Sequence, residues 1–130
     1  MGHADLEDAI QLAAIPCQKA NTSAPSGISL GEVHKLARRF GLSIRDVELQ
    51  ALRMGVLPER YRRSYGTLGL HGQIALLESC VAVVGAGGLG GYIIEGLARM
   101  GIVKLIIIDG DTFSESNLNR QLGCTEDTLG

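Results

Sequence analysis

In the opening block, "DLEDAIQLAAIPCQKA", Leu6, Ala9, Ile10, Ala13 and Ala14 recur at helical spacing. Its acids lie in the first turn, where a helix carries partial positive charge, and Pro16 ends or kinks the element. "NTSAPSG" (Asn21 to Gly27) is dense in turn-formers and reads as a linker. Two helices follow with their starts written in: Ser29 with Glu32 matches a capping box, and Ser43 with Asp46 its acidic counterpart. The first is predicted over about Leu30–Phe40. It buries Val33, Leu36, Ala37 and Phe40 and ends at Gly41, suited to a left-handed cap. The second, about Ile44–Met54, buries Val47, Leu49 and Leu52, presents Arg45, Asp46, Glu48, Gln50 and Arg53, and ends at Gly55.

Beyond this pair the pattern changes. "GVLPERYRRSYGTLGLHGQ" joins the halves, with Pro58 marking a break, and Gly72–Ser79 is predicted as a short helix with Ile74 and Leu77 on one face. "CVAVVG" is a short, continuous, valine-rich run of the kind that forms a buried strand. Leu89–Met100 is predicted as a helix closed by Gly101, and "IVKLIIID" (Ile102–Asp109) as a second buried strand. Strand, glycine turn, helix and strand make a βαβ unit. The expected class is therefore α/β, a nucleotide-type βαβ in residues 59–130 preceded by a small all-helical segment in residues 1–58.

Short helices joined by a tight turn have helix-turn-helix geometry. Asp46 and Glu48 on the second helix would repel phosphates, however, and residues 27–63 carry only eight Lys/Arg against four acids. That balance argues against nucleic acid and for a structural or protein-binding module. The whole chain has a net charge of −2 and is 45% hydrophobic, too apolar for general disorder. No apolar run approaches the roughly 20 residues that span a bilayer, and the acidic start "MGHADLEDAIQ" carries no export signal. Cys17, Cys80 and Cys124 are odd in number and far apart, forming neither a disulfide framework nor a C-x-x-C pair. Inert thiols of a cytoplasmic protein are expected. His3, His34 and His71 are expected in surface or packing roles.

The chemistry concentrates in "VGAGGLGG" (Val84 to Gly91). Gly85, Gly87 or Gly88, and Gly90 permit a tight turn, close backbone approach to phosphate, and packing of helix on strand. The helix start adds oriented N–H groups and partial positive charge. Asp109, ending the second strand, stands where an acid binds ribose hydroxyls. On these residues alone NAD and ATP are equal candidates. An NAD(P)-binding oxidoreductase therefore stays open, as does a DNA-binding regulator with a nucleotide sensor.

"DGDTFSESNLNRQ" (Asp109 to Gln121), with the glycine turn and the "RYRRS" that begins at Arg60, resembles the ThiF/HesA/MoeB family of ubiquitin-activating-enzyme-like adenylyltransferases. The resemblance covers about Glu59 to Gly130, the first half of the family's Rossmann-like adenylation domain. It implies an enzyme that uses ATP and Mg²⁺ to adenylate the C-terminal glycine of a ubiquitin-like sulfur-carrier protein, as in thiamine or molybdopterin synthesis. Gly88 would contact ATP and Asp109 would hold the ribose. Ser116 and Asn117 would fall on the nucleotide, Arg120 on its phosphates, and Gln121 would complete the signature. Arg63 would reach the partner protomer's ATP in a homodimer. Arg120 and Arg63, with Arg60 as a further candidate, would offset charge when a carboxylate attacks the α-phosphate. Ser64 departs from the family's Gln, and Gly91 from its usual residue. The family's Lys, Mg²⁺-binding Asp, sulfur-transferring Cys and zinc pairs would lie beyond residue 130, so no metal ligand is assigned here. The expectation is an N-terminal part, inactive alone, with uncovered faces on "VAVV" and "KLIII".

Overall fold

A computed structural model describes residues 3–17 and 24–130. Helices and short parallel strands form a mixed α/β chain of two compact units, one running to Leu77 and the other from Glu78 to Gly130.

The first unit begins with α1 (His3–Ala13), followed by β1 (Gly27–Ile28), α2 (Leu30–Phe40), α3 (Ile44–Arg53) and β2 (Leu57–Pro58). A 3-10 turn (Glu59–Tyr61) then leads into α4 (Tyr65–Glu78). The helix starts follow the capping chemistry. Ser29 Oγ accepts the Glu32 N–H at 3.2 Å, and Ser43 Oγ accepts that of Asp46 at 3.1 Å. Gly41 closes α2 at φ 65°. The linker expected from Asn21 lies outside the described residues as far as Ser23. Its end is not free coil: Gly27 exchanges two 2.8 Å backbone hydrogen bonds with Ile15, and β1 pairs in parallel with β2. Pro58, read as a break, thus ends a short edge strand, where a missing N–H is tolerated. The helix expected at Gly72–Ser79 starts earlier, at Tyr65, and breaks at Gly69 (φ 63°). Tyr65, Leu70 and Ile74 hold it by packing on the core beneath.

That core is double. Val47 and Ala51 join Leu6, Ile10, Ile28, Val33, Leu36 and Ala37 on one side of α3, while Leu49 and Leu52 join Leu57, Tyr61 and Leu77 on the other. Phe40, expected in the core, is half-buried. Glu48, expected on the presented face, is fully buried because α3 is covered on two sides.

The second unit comprises β3 (Cys80–Val84), α5 (Gly90–Met100) and β4 (Lys104–Ile108). The strands pair in parallel from Cys80 opposite Lys104 to Val84 opposite Ile108, and short 3-10 turns at Glu115–Asn117 and Glu126–Thr128 complete the unit. The strands, which read locally as buried runs with faces expected to be uncovered, alternate half-buried residues such as Val81, Val83 and Leu105 with exposed ones, Val84 at 80% and Ile108 at 54%. One helix and two strands cannot cover both faces of a parallel sheet. Among the described residues no helix is long and apolar enough to cross a membrane.

Candidate functional site

In the second unit the chain leaves β3 through Gly85, whose N–H still donates to the Ile108 carbonyl at 2.8 Å. Gly85 then turns at φ 90°, a conformation that side chains resist. A Cβ at Gly90 would lie 1.9 Å from the Gly85 carbonyl oxygen, so helix and strand approach as closely as they do only because that Cβ is absent. Among the described residues, the N–H groups of Gly87, Gly88, Leu89 and Gly90 have no backbone acceptor. They form an unsatisfied first turn pointing out of the helix.

Asp109 closes this turn. Its Oδ2 accepts the Ala86 N–H at 2.5 Å and its Oδ1 accepts that of Asp111 at 2.9 Å. These N–H groups, with that of Gly110, hold its carboxyl below the usual carboxylate range. Two oxygens accepting one bond each keep lone pairs for further donors, so the carboxylate can shape the turn and bind a ligand together.

The segment after Asp109 folds back over the glycines. Asn117 Oδ1 accepts the Ser114 N–H and hydroxyl at 2.9 and 3.0 Å, capping the 3-10 turn. Arg120 is exposed, and its Nη1 donates to the Ser116 carbonyl at 2.6 Å and to Asn119 Oδ1 at 3.2 Å. Its stem lies over Gly88, and Gln121 Nε2 lies over Gly87. A cleft of about 510 Å³ results, lined by Ala86, Gly87 and Asp109 on one side and Asn117, Arg120 and Gln121 on the other. Of the expected nucleotide-binding residues, Gly85, Gly88, Gly90 and Ser116 are not among its lining residues; Gly88 lies under the Arg120 stem, and Ser116 acts through its carbonyl on Arg120.

Asp111, Thr112, Phe113 and Ser114 also line the cleft, and Asn119 orients Arg120. None of these stands out in the sequence as a site residue. The S-x-x-N pattern of Ser114 and Asn117, a local cap, is the signal that could have found them. Cys124 is buried and its thiol points at the Ser114 carbonyl at 3.7 Å, a packing role.

Arg63 belongs to the first unit, exposed in the turn that follows Glu59–Tyr61. Of the neighbouring arginines, Arg60 is tied to Glu48 at 2.5 Å and Arg62 to Glu59. Arg60, the further candidate for offsetting reaction charge, is thereby engaged in the first unit's own core. Among the described residues no group of three or more His, Cys, Asp or Glu is placed to hold a metal ion.

The ThiF family profile matches residues 61–130, more than half of the chain and all of the cleft. The SAMP-activating enzyme E1 of Haloferax volcanii is 43% identical over 74 residues, covering 55% of this chain and 27% of that protein. The adenylyltransferase and sulfurtransferase MOCS3 of Dictyostelium discoideum is likewise 43% identical over 74 residues, covering 55% and 17%. The tRNA threonylcarbamoyladenosine dehydratase of Bacillus subtilis is 37% identical over 71 residues, covering 55% and 28%. The chain thus spans less than a third of the length of these relatives. Among solved structures, that of E. coli MccB with AMPCPP and MccA aligns with a TM-score of 0.52 and 24% identity, covering 78% of this chain and 31% of that one, a likeness of fold. With its cleft lying wholly inside the matched region, the chain belongs to the ThiF family.

Proposed function

We propose that this chain supplies the nucleotide-binding part of an ATP-dependent adenylyltransferase that activates the C-terminal glycine of a ubiquitin-like sulfur-carrier protein. Residues 59–130 are the first βαβ of a Rossmann-like adenylation domain, and residues 1–58 a helical, helix-turn-helix-like preface. The observation that carries the reading is the cleft itself, which brings the Gly87 N–H, without a backbone acceptor, and the exposed Asp109 carboxylate together with Arg120. Related proteins with adenylyltransferase and E1 names support it.

The residues present fit a nucleotide. The Gly87 N–H borders the cleft and, with the helix-start N–H groups of Gly88, Leu89 and Gly90, would donate to phosphate oxygens, and the lone pairs left on Asp109 would accept ribose hydroxyls. Asn117 and Gln121 border the nucleotide, and Ser116 and Asn119 aim the Arg120 guanidinium at the phosphates. A carrier carboxylate oxygen attacks the α-phosphorus, an acyl–phosphate bond forms, and the bond to pyrophosphate breaks. Negative charge builds on phosphate oxygens, where Arg120 stabilises it, joined by Arg63 across a homodimer. Mg²⁺ would screen the same charge; among the described residues no group of three or more His, Cys, Asp or Glu is placed to hold it. A cytoplasmic setting belongs to the same reading.

The test is ATP–pyrophosphate exchange by the full-length protein, dependent on a ubiquitin-like carrier and lost in Arg120→Ala. Exchange surviving that substitution undoes the site assignment. A second reading follows from the Bacillus subtilis relative, whose name places its chemistry on tRNA. Exchange or AMP formation that requires tRNA, and ignores carriers, would favour it.

A further inference from the structure

We propose that Glu48 is a positioning residue for Arg63, acting through Arg60 and Tyr61, so that the helical preface sets the guanidinium that the adenylation reading sends to the nucleotide. The inference rests on that reading for Arg63's target, and on the first unit alone for its geometry.

Three arginines fall within "RYRR" (Arg60 to Arg63), and the fold disposes of two. Arg60 Nη2 donates to Glu48 Oε2 at 2.5 Å while its guanidinium lies 4.9 Å from the centre of the Tyr61 ring. Arg62 is gripped by the Glu59 carboxylate and donates to the Pro25 carbonyl at 2.9 Å. Among the described residues only Arg63 of the three has no ion-pair partner, and it is exposed.

Glu48 is an expensive way to stabilise a core. It is 0% exposed, and its Oε1 has no hydrogen-bond partner among the described residues. Desolvation pushes its carboxyl up, against the pull of Arg60. An apolar side chain between the two halves of the core would hold α3 at least as well. What an apolar residue could not do is grip two successive residues of the turn. Oε2 accepts from both Arg60 and the Tyr61 hydroxyl, the latter at 3.3 Å. The grip passes on through a closed turn, since the Ser64 N–H and hydroxyl both bond the Tyr61 carbonyl, at 3.1 and 3.0 Å. Arg63 sits inside that turn. Its backbone is fixed at both ends while its side chain stays free.

The test is a double-mutant cycle on the full-length protein, titrating MgATP calorimetrically and recording each variant's melting temperature. Arg63→Ala should weaken MgATP binding about tenfold or more, the loss of a charge-assisted hydrogen bond. Glu48→Gln should weaken it about three- to tenfold, and in the Arg63→Ala background should weaken it no further. Multiplying effects would mean that Glu48 acts on stability generally, and would overturn the inference while leaving the nucleotide reading intact. If Glu48→Gln fails to fold, Arg60→Lys carries the same comparison, because it keeps the charge opposite Glu48 but not the planar stacked fork. Failure of both to fold assigns the pair to stability and overturns the proposal. Wild-type protein that does not bind MgATP overturns the adenylation reading, and an Arg63→Ala variant that binds like wild type overturns Arg63's role. Either removes this inference with it.

Discussion

Gly90 and Gly96 lie six residues apart in one helix, and the same substitution should move them in opposite directions. At Gly96 an added methyl would meet nothing within 4 Å, and no left-handed backbone is involved. Gly96→Ala therefore gains helix propensity of about 1 kcal/mol, roughly fivefold in the local opening equilibrium. At Gly90 the methyl would lie 1.9 Å from the Gly85 carbonyl oxygen and 2.7 Å from its carbon. Carbon–oxygen contacts rest near about 3.3 Å, so helix and turn must separate by more than an ångström. The obstacle is backbone and no rotamer change relieves it. Gly85 is itself held at φ 90° by its bond to Ile108 and cannot swing aside cheaply. A cost of about 3 kcal/mol or more is expected, at or above the usual overpacking range. Native-state hydrogen exchange of the β3 and β4 amides reads this locally. Gly90→Ala should speed their exchange by two orders of magnitude or more, about 100-fold, and abolish MgATP binding, while Gly96→Ala slows exchange and leaves binding intact. Equal effects at the two positions, or unchanged exchange in Gly90→Ala, would refute the argument that helix–turn contact demands glycine there.

Three further outcomes are expected. The Tyr61 phenol, buried and facing the Glu48 carboxylate, is pushed up to about 12. Because its folded value is raised, the stability it confers is complete below the unfolded phenol range and lost as pH rises toward 12. An alkaline difference titration of wild type against Tyr61→Phe should show that late phase, and a Tyr61 phenol ionising near 10 would contradict its burial. Asp109 is held low by backbone N–H groups, so its contribution is present above the unfolded carboxylate range and disappears as pH falls through the lower folded value. Asp109→Asn should flatten the acid limb of the second unit's unfolding profile, measured by exchange at β3 and β4. Ser29→Ala and Ser43→Ala should each cost about 1 kcal/mol in chemical denaturation of the first unit, and no loss at either would remove the caps from the account of α2 and α3.

What sequence revealed and what it hid divide along the range of the interaction. Ser29, Ser43 and Gly41 were legible because caps are settled by atoms within four residues of chain. The glycine turn was legible for the same reason, as a strand end, a positive-φ position and a helix start in continuous sequence. The pairing of Gly27 with Ile15 and of β1 with β2 was not, because nothing local distinguishes a two-residue edge strand from a linker. The exposure of β3 and β4 is a matter of how many layers cover them: "VAVV" by itself reads as a buried run, and its uncovered face is expected only from counting the strands and helices around it.

Glu48 is the instructive miss, because a signal was there. At 100° per residue, Ile44, Val47, Leu49, Ala51 and Leu52 spread over about 200° of the helix circumference, twice the usual apolar stripe. Glu48 falls near the middle of that arc. A helix so broadly apolar has to be covered on two sides, and a lone acid at its centre has to find a cation from another element. "KLARR" (Lys35 to Arg39) and "ERYRRS" both offer cations close by in sequence, and it is Arg60 that arrives, from the second and twelve positions away. The same contact resolves what composition could not. Arg60, Arg62 and Arg63 are equivalent as letters and as charges, and they become different only through the carboxylates that stand opposite them. Glu48 takes one and Glu59 another, and the third, Arg63, has no ion-pair partner among the described residues.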